Sequence, residues 1–254
     1  MSYETILVDV EDHLAVVTFN RPEKRNAISQ TMVDELHHAM DQLVADDDAH
    51  ACVFVGAGDK AFVGGADIAQ LRDRNLYDAL KTINAALCNH IESLPMPTIA
   101  AAKGYCLGGG QEIAMACDLR VAGESAKFGQ PEVALGIIPA AGGTQRLPKL
   151  VGLGRAKELI MTGRIIGAGE AERIGLVNRV VPDDEVLDAA KGLAREILAN
   201  GSLAVRLAKL CLNNSSRTGQ DSALLLEQIS QAVLFESEDK RARMTAFLEK
   251  RKKK

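Results

Sequence analysis

The chain has 254 residues, of which 47% are hydrophobic and 25% are charged, with 22 glycines and 7 prolines. These proportions are typical of a globular protein large enough to bury a core without a metal or a disulfide, and they exclude collagen-like, coiled-coil and disordered chains. Thirty Lys and Arg against 34 Asp and Glu give a net charge of -4, so we expect no nucleic-acid partner.

The five cysteines lie far apart and form no CxxC pair. This spacing argues against a zinc site or a redox dithiol and predicts reduced, mostly buried thiols. The first ten residues carry acids where a signal peptide would be basic, and no apolar run reaches the roughly 18 residues that a membrane span needs. We therefore expect a cytoplasmic protein that does not enter a membrane.

The N-terminal segment predicts a hairpin followed by a helix. Apolar runs at residues 6–10 and 14–19 flank a short polar turn, which is typical of two paired strands. Ser29 is a plausible N-cap for a helix that continues to Val44, because apolar residues recur on one face up to that point. The acidic residues 46–48 would then end that face.

From residue 51 onward, a short apolar strand, a glycine loop and a helix recur. The predicted strands are residues 51–55, residues 98–102 and an apolar passage at 133–138, while helical periodicity covers 76–91. Asp67 and Gln70 have the spacing of a capping box. Three such units predict an α/β fold with stacked turns of chain.

After a strand at residues 177–181, only helices are predicted, at 183–199, 203–212, 222–235 and 238–251. We divide the chain into an α/β core of residues 1–198 and a helical region of residues 199–254. The wide apolar stripes of these helices predict that they pack against the core or against other subunits.

Several familiar catalytic patterns are absent from the sequence. There is no GxSxG, HExxH or GxxxxGK[ST] motif, and all five histidines lie within the first ninety residues, outside the glycine loops. The Gly-Leu-Gly at 152–154 lacks the third glycine and the strand and helix context of a dinucleotide site. These absences argue against a serine hydrolase, a zinc protease, a P-loop NTPase and an NAD enzyme.

Two glycine loops, at residues 61–67 and 104–112, could each deliver backbone N–H groups to a bound oxygen. Two such donors would form an oxyanion hole. The structural alternatives remain open: the glycines can serve packing alone, Asp67 suits a helix cap, and Glu112 suits a first helical turn without catalysis. Glu132 opens an apolar segment where an unpaired carboxylate is costly, so the residues leave a two-glutamate site and a structural role equally open.

At these residues the sequence resembles the crotonase superfamily and, within it, the enoyl-CoA hydratases. The matching segments run nearly end to end: 20–22 with 26–27, 61–68, 104–112, 128–132, 142–147, 171–177 and 246–251. The resemblance implies a spiral core of repeated ββα units followed by a C-terminal helical region that builds trimers, usually stacked into hexamers. It also implies an acyl-CoA thioester substrate and neither a metal nor a separate cofactor, since coenzyme A enters with the substrate.

The resemblance further implies roles for individual residues. The backbone N–H groups of Ala66 and Gly109 would form the oxyanion hole, and Glu112 and Glu132 fall where hydratases keep two catalytic carboxylates. The remaining implied substrate contacts are Lys24, Arg25, Ala27, Asp67, Ile68, Phe247 and Lys250, the last two from a C-terminal helix that often belongs to a neighbouring subunit.

We expect Glu112, at a helix start, to be the ionised base and Glu132 to be the protonated acid, since two close carboxylates are not both ionised. Ala140 stands where these hydratases usually have glycine, which leaves chain-length preference and turnover open. Two alternatives remain: an enoyl-CoA isomerase or another acyl-CoA enzyme of the same superfamily, and an RNA-binding relative that uses the basic residues 250–254.

Overall fold

The computed structural model describes residues 3–45 and 49–252, with side chains up to Arg251. Its strands form two sheets. The strands are β1 Ile6–Glu11, β2 Leu14–Phe19, β3 Ala51–Gly56, β4 Ala61–Val63, β5 Thr98–Ala102, β6 Tyr105–Leu107, β7 Leu119–Gly123, β8 Lys127–Gly129, β9 Ile165–Gly167 and β10 Arg179–Val181. The helices are α1 Gln30–Ala45, α2 Ile68–Arg72, α3 Leu76–Leu80, α4 Ile83–Ser93, α5 Gly109–Ala116, α6 Gly143–Val151, α7 Leu153–Thr162, α8 Ala168–Arg173, α9 Val186–Leu198, α10 Ser202–Asn214, α11 Gln220–Phe235 and α12 Glu238–Lys252. Short 3-10 helices cover Pro22–Lys24, Pro131–Leu135 and Asp183–Glu185.

Each turn of chain adds one strand to each sheet. The larger sheet has the order β1-β2-β3-β5-β7-β10 and the smaller one β4-β6-β8-β9. Strands β3, β5 and β7 pair in parallel, and so do β4, β6 and β8. The predicted α/β fold of stacked strand, strand and helix turns is confirmed.

The predicted N-terminal hairpin is also confirmed, with β1 and β2 antiparallel from Ile6 opposite Phe19 to Glu11 opposite Leu14. Its two turn residues, Asp12 and His13, both have positive φ, at 49° and 65°. Two consecutive left-handed residues match the right-handed twist of the flanking strands, so the turn closes the hairpin without splaying it.

The central strands of the larger sheet are covered on both faces, which explains why their sequences are continuously apolar. One face carries Phe54 and Ala100 into the main core, together with the buried face of α1. The opposite face carries Val53, Ile99 and Val121 against α9. Helix α9 therefore packs on the sheet as its second cover.

The interpretation of residues 133–138 as a strand is wrong. Residues Pro131–Leu135 form a 3-10 helix, and Gly136 then adopts a left-handed conformation with φ 73°. Pro131 lacks the N–H that a sheet requires and fixes the φ of a helical first residue, so this segment turns instead of pairing. The strands of the third turn are β7 and β8, and its helix is α6.

The single helix predicted over residues 76–91 is divided into α3 and α4, because Thr82 has a φ of 51°. Leu76 and Leu80 are 69% and 68% exposed, so apolar periodicity misidentified α3 as a buried helix. Asn75 and Asp78 form a capping box of their own at the start of α3.

Two further details of the sequence interpretation are corrected. Asp67 caps α2 by accepting from the N–H of Ala69, but its own N–H donates to the carbonyl of Ile28, so the box with Gln70 does not form. Ser29 caps α1 as predicted, whereas Val44 is 48% exposed and lies off the buried face. Residues 46–48 lie outside the described part of the chain.

The C-terminal helices α10, α11 and α12 agree with the predicted helical segments. Among the described residues of these three helices, only Lys209 and Ser230 are buried. The Lys209 ammonium lies 2.8 Å from the Asp118 carboxylate and donates to the carbonyl of Met96, which fixes α10 to the core. The division at residue 198 stays a prediction.

Two expectations about side chains and spans can be compared with the structure. All five cysteines are free thiols, four of them buried and Cys211 half-buried, as predicted. Within residues 3–45 and 49–252, no helix combines the length and the apolar character needed to cross a membrane.

Candidate functional site

The start of α5 presents an unpaired backbone N–H group at Gly109. Gly109 is the first residue of the helix, and the first N–H groups of a helix have no acceptor within it. The carbonyl of Gly108 accepts from the Glu112 N–H and from the Gln130 side chain. Because a trans peptide places its N–H opposite its C=O, the Gly109 N–H points outward from the helix end.

A second backbone N–H, that of Ala66, is oriented in the same way by the loop after β4. The carbonyl of Gly65 accepts from the Ile28 N–H at 2.9 Å, so the Ala66 N–H on the other side of that peptide points away from Ile28. A Cβ placed on Gly109 would lie 4.0 Å from the Ala66 nitrogen. The two groups are therefore neighbours, and both residues line the same cavity.

Close packing explains the glycines between these groups. A Cβ on Gly110 would lie 2.0 Å from the carbonyl oxygen of Val63, so only glycine lets the start of α5 approach β4. Gly108 has a φ of 52°, and a Cβ there would lie 2.9 Å from Oε1 of Glu132. The triple glycine thus serves packing as well as exposure of the N–H groups.

Glu112 is buried on the first turns of α5, with 3% of its surface exposed. Its Oε1 accepts from the backbone N–H of Ala141 at 2.7 Å and from that of Gly143 at 2.8 Å. Burial raises the pKa of the Glu112 carboxyl, while these two N–H donors and the nearby Arg146 charge oppose the rise. The two N–H donors and the Arg146 charge therefore offset part of the rise that burial causes in the pKa of Glu112.

Glu132 lies on the short 3-10 helix and is only partly buried, but its environment is less favourable to charge. Its Oε2 is buried and has no hydrogen-bond partner among the described residues. Burial raises the pKa of Glu132 to about 7, and the neighbouring Glu112 charge adds to the rise. At neutral pH a large fraction of Glu132 is therefore protonated.

Both carboxylates face one cavity of about 590 Å³, which has the size of a small-molecule site. Its walls also include Ala66, Gly109 and Ala140, the last of which stands in the turn between the 3-10 helix and α6. Helices α3 and α4 supply the opposite wall. The cavity thus brings two backbone N–H groups and two carboxyl groups together in a partly apolar site.

The other residues predicted near this site divide into two groups. The segment containing Lys24, Arg25 and Ala27 lies beside the loop of Ala66 to Ile68, because the Arg25 carbonyl accepts from the Gly64 N–H at 2.9 Å. Lys24 and Ile68 are exposed, and the Arg25 guanidinium lies 5.4 Å from the ring centre of Tyr105. Asp67 is 3.9 Å from Arg21 in an ion pair, and its carboxylate also caps α2.

Phe247 and Lys250 are not brought to this cavity within one chain. They lie on α12, where Phe247 is 61% exposed and its ring contacts the guanidinium of Arg251. The first part of α12 is fixed to its own chain by Arg243, which donates to the carbonyl of Ala199 at 2.9 Å. The side chains of residues 252–254 in the basic run lie outside the described part of the chain.

The sequence interpretation missed three contributors to the site. Gly143 and Ala141 supply the N–H donors to Glu112, and Gln130 fixes the Gly108 carbonyl. Segment 142–147 was quoted only for its resemblance. Ala141 and Gly143 follow Glu112 by 29 and 31 positions. No sequence pattern indicates contacts over such separations, so these donors could not be assigned from the sequence.

Comparisons with known proteins show the family of this chain. A model of the family described as enoyl-CoA hydratase/isomerase matches residues 9–254. A crotonyl-CoA hydratase of Syntrophomonas wolfei is 45% identical over 99% of this chain and 98% of its own length. A short-chain-enoyl-CoA hydratase of Clostridium acetobutylicum is 43% identical over 99% of this chain and 97% of its own.

Solved structures extend the likeness to the fold. The crystal structure of an enoyl-CoA hydratase from Bacillus anthracis superposes with a TM-score of 0.93 at 39% identity, over 97% of each chain. The predicted crotonase-like α/β fold is therefore confirmed. The chain belongs to the enoyl-CoA hydratase/isomerase family.

Proposed function

We propose that this chain hydrates 2-enoyl-CoA thioesters, adding water across the 2,3-double bond to give a 3-hydroxyacyl-CoA. The observation that carries the proposal is the meeting of the Ala66 and Gly109 N–H groups with Glu112 and Glu132 around one cavity. The names of relatives that are 45% and 43% identical over nearly the full chain support the same reaction.

The two backbone donors suit the charge that this addition develops. Attack at C3 of a conjugated thioester moves negative charge onto the carbonyl oxygen, and each preorganised N–H donor to such an oxygen is worth about a hundredfold to a thousandfold in rate. In our proposal the thioester oxygen lies between the N–H groups of Ala66 and Gly109. No metal is needed for this step.

In the proposed reaction the two glutamates transfer the protons of the addition. Glu112 accepts a proton from the water while the water oxygen bonds to C3, and Glu132 donates a proton to C2. The π bond is consumed, one O–H bond of water is broken, and the carboxyl pair keeps one proton throughout. The transfers from water to Glu112 and from Glu132 to C2 can occur in one concerted step. Proton transfer from Glu112 back to Glu132 then restores the starting state.

The coenzyme A portion would lie along the paired segments 24–27 and 66–68. The exposed cations of Lys24 and Arg25 suit its phosphates, and Asp67 and Ile68 directly follow Ala66, which lines the cavity. Phe247 and Lys250 would approach the adenine end from a neighbouring subunit of a homotrimer or hexamer. The cytoplasmic location expected from the sequence stays a prediction.

The cavity supports a preference for short acyl chains. The Ala140 methyl group takes up space in the cavity. Arg74, Asp78 and Asn84 also line the cavity, and a long hydrocarbon tail would lose free energy by removing these polar groups from water. The short-chain names of two relatives agree with this preference.

A panel of 2-enoyl-CoA thioesters of increasing length, followed by loss of the enone absorbance, tests the proposal. We expect the four-carbon substrate to give the largest kcat/KM. A 3-enoyl-CoA assayed beside it tests the isomerase alternative: faster conversion of the 3-enoyl isomer, with no hydration, would contradict the proposal. Salt-dependent RNA binding that is lost when residues 251–254 are deleted would instead favour the RNA-binding alternative.

A further inference from the structure

Arg146 is a buried cation next to the turn that contacts Glu112, and the reaction scheme does not use it. It lies on α6 with 9% of its surface exposed. Its Nη1 donates to the carbonyl of Ala141 at 2.9 Å, and its Nη2 donates to Asn89 and Glu92 on α4 at 2.9 and 2.6 Å. The guanidinium therefore joins the turn to α4.

The turn is held from both sides at a single residue. The carbonyl of Ala141 accepts from Arg146, while the N–H of the same residue donates to Oε1 of Glu112 at 2.7 Å. Gly142, the next residue, has a φ of 102°, and a Cβ there would lie 2.0 Å from Nη1 of Arg146. The turn thus needs glycine both for its conformation and for the approach of the guanidinium.

Behind Arg146, the carboxylate of Glu92 is shared with a second cation. Arg217, between α10 and α11, places its Nη2 2.8 Å from Oε2 of Glu92. The Asn213 side chain also donates to the Glu92 carbonyl at 3.0 Å. The C-terminal helical region is therefore connected to the turn through Glu92 and Arg146.

We propose that Arg146 is a positioning residue for the hydration reaction, which holds the Ala141 N–H on Glu112 and is itself held by Glu92, whose carboxylate Arg217 also binds. This inference rests on the proposed function, because it assigns Arg146 to the same chemistry. A guanidinium suits the role, since its planar donors can bind the turn carbonyl and the α4 carboxylate together.

The role has an electrostatic consequence that a purely structural role lacks. The Ala141 and Gly143 donors and the Arg146 charge all lower the pKa of Glu112 against the effect of burial. Besides Arg146, the ionisable groups that act on Glu112 or lie on the elements packed against α5 include Glu132, Cys88, His90, Glu92, Tyr105, Cys106, Arg120 and Lys149. The positive charge of Arg146 lowers the pKa of Glu112, and the same side chain binds the carbonyl of Ala141 in the donor turn.

Arg146→Met and Arg146→Lys, assayed for crotonyl-CoA hydration between pH 5 and 9, test the proposal. For Arg146→Met we expect kcat to fall about a hundredfold, as small misplacements of catalytic groups do, with KM changed less than about threefold. The acidic limb of its pH profile should move to higher pH, because the Glu112 base protonates more readily. Arg146→Lys keeps the charge and should show a smaller shift of the limb.

Arg120→Met is the matched control. Arg120 is also a buried arginine bound to backbone carbonyls, those of Leu176, Ala114 and Cys117, but none of its bonds reaches the donor turn. Its replacement should lower the melting temperature and leave the acidic limb in place. If Arg146→Met does not fold, Glu92→Gln, which keeps the shape and weakens the hold on Arg146, should lower kcat several-fold and move the limb in the same direction.

The outcomes separate the two proposals. A wild-type protein that does not hydrate crotonyl-CoA would overturn the proposed function. An active wild type whose Arg146 and Glu92 variants keep the acidic limb and lose no more than twofold in kcat would overturn the positioning role alone. A limb that moves in Arg146→Met but not in Arg120→Met is the expected result.

Discussion

Glu112 and Glu132 lie in two regions of the same cavity, and burial raises the pKa of both carboxyl groups, but their hydrogen-bond partners differ. Around Glu112, α5 and the turn before α6 provide two backbone N–H donors and a cation. Around Glu132, the short 3-10 helix leaves one buried oxygen without a partner among the described residues. Hydrogen bonding, more than burial, therefore distinguishes the two carboxyl groups, and it is the basis on which we propose Glu112 as the base and Glu132 as the acid.

The largest effect should follow from removing the base. Glu112→Gln keeps the size of the side chain but cannot accept the proton of water, so we expect kcat for crotonyl-CoA hydration to fall about a thousandfold or more. Circular dichroism should show an unchanged fold. A variant that keeps more than a tenth of wild-type kcat would show that the donors around Glu112 serve structure alone.

Removing the acid should have a comparable or somewhat smaller effect. Glu132→Gln cannot deliver a proton to C2, and we expect kcat at pH 7 to fall about a hundredfold to a thousandfold.

The wild type should also lose activity as pH rises through about 7, where Glu132 ionises. A pH profile flat to pH 9 in the wild type would contradict the assignment of Glu132 as the acid.

The proposed oxyanion hole at Ala66 and Gly109 should be sensitive to a single added methyl group. A Cβ on Gly109 would lie 2.9 Å from Cδ1 of Ile28 and 4.0 Å from the Ala66 nitrogen, so Gly109→Ala should displace the thioester oxygen and lower kcat/KM about tenfold. Steady-state kinetics measures this. Wild-type kinetics in Gly109→Ala would place the carbonyl oxygen elsewhere.

The raised pKa of Glu132 should also affect the pH dependence of the free energy of unfolding. Its pKa is raised from 4.5 to about 7 in the folded protein, so between these values the folded state binds more protons than the unfolded chain. The free energy of unfolding therefore falls as pH rises through this window. Glu132→Gln removes that loss, and we expect it to be more stable than the wild type at pH 8 by on the order of 1 to 2 kcal/mol, allowing for solvent screening.

Urea unfolding at pH 4.5 and pH 8 measures this difference. The stabilisation should be present at pH 8 and small at pH 4.5. Equal effects at the two values would mean that Glu132 has an ordinary pKa in the folded protein.

The smallest effect concerns a glycine remote from both carboxylates. Gly192 lies inside α9, and a Cβ there would meet open space, so Gly192→Ala should raise the free energy of unfolding by about 0.5 to 1 kcal/mol. It serves as the control for Gly109→Ala. Hydration kinetics should not change, and a loss of activity would show that α9 influences the cavity.

The parts of the structure that local sequence determines could be predicted. The hairpin follows from two apolar runs and its turn, the start of α1 from Ser29, and the C-terminal helices from their apolar stripes. Glu112 could be proposed for the site because the glycines before it expose a helix start. In each case the cause lies within a few residues.

The parts that depend on contacts between distant segments could not be predicted. The N–H donors to Glu112 belong to Ala141 and Gly143, which follow it by 29 and 31 positions. Thr82 interrupts an apolar periodicity that predicts a single helix. Residues 133–138 are mostly apolar but lie after a proline, and residues 136–138 line the cavity instead of forming the expected strand. Apolar residues that line a cavity carry the same sequence pattern as a buried strand.

Carboxyl titration of the two glutamates tests the central claim most directly. In protein labelled with carbon-13 at the glutamate side-chain carboxyl, the signal lost in Glu132→Gln should titrate near pH 7. The signal lost in Glu112→Gln should titrate above the ordinary range of glutamate but below the Glu132 signal, because burial raises its pKa while two N–H donors and Arg146 oppose the rise. Two carboxyls that titrate together in the ordinary range of glutamate would contradict the division into an acid and a base.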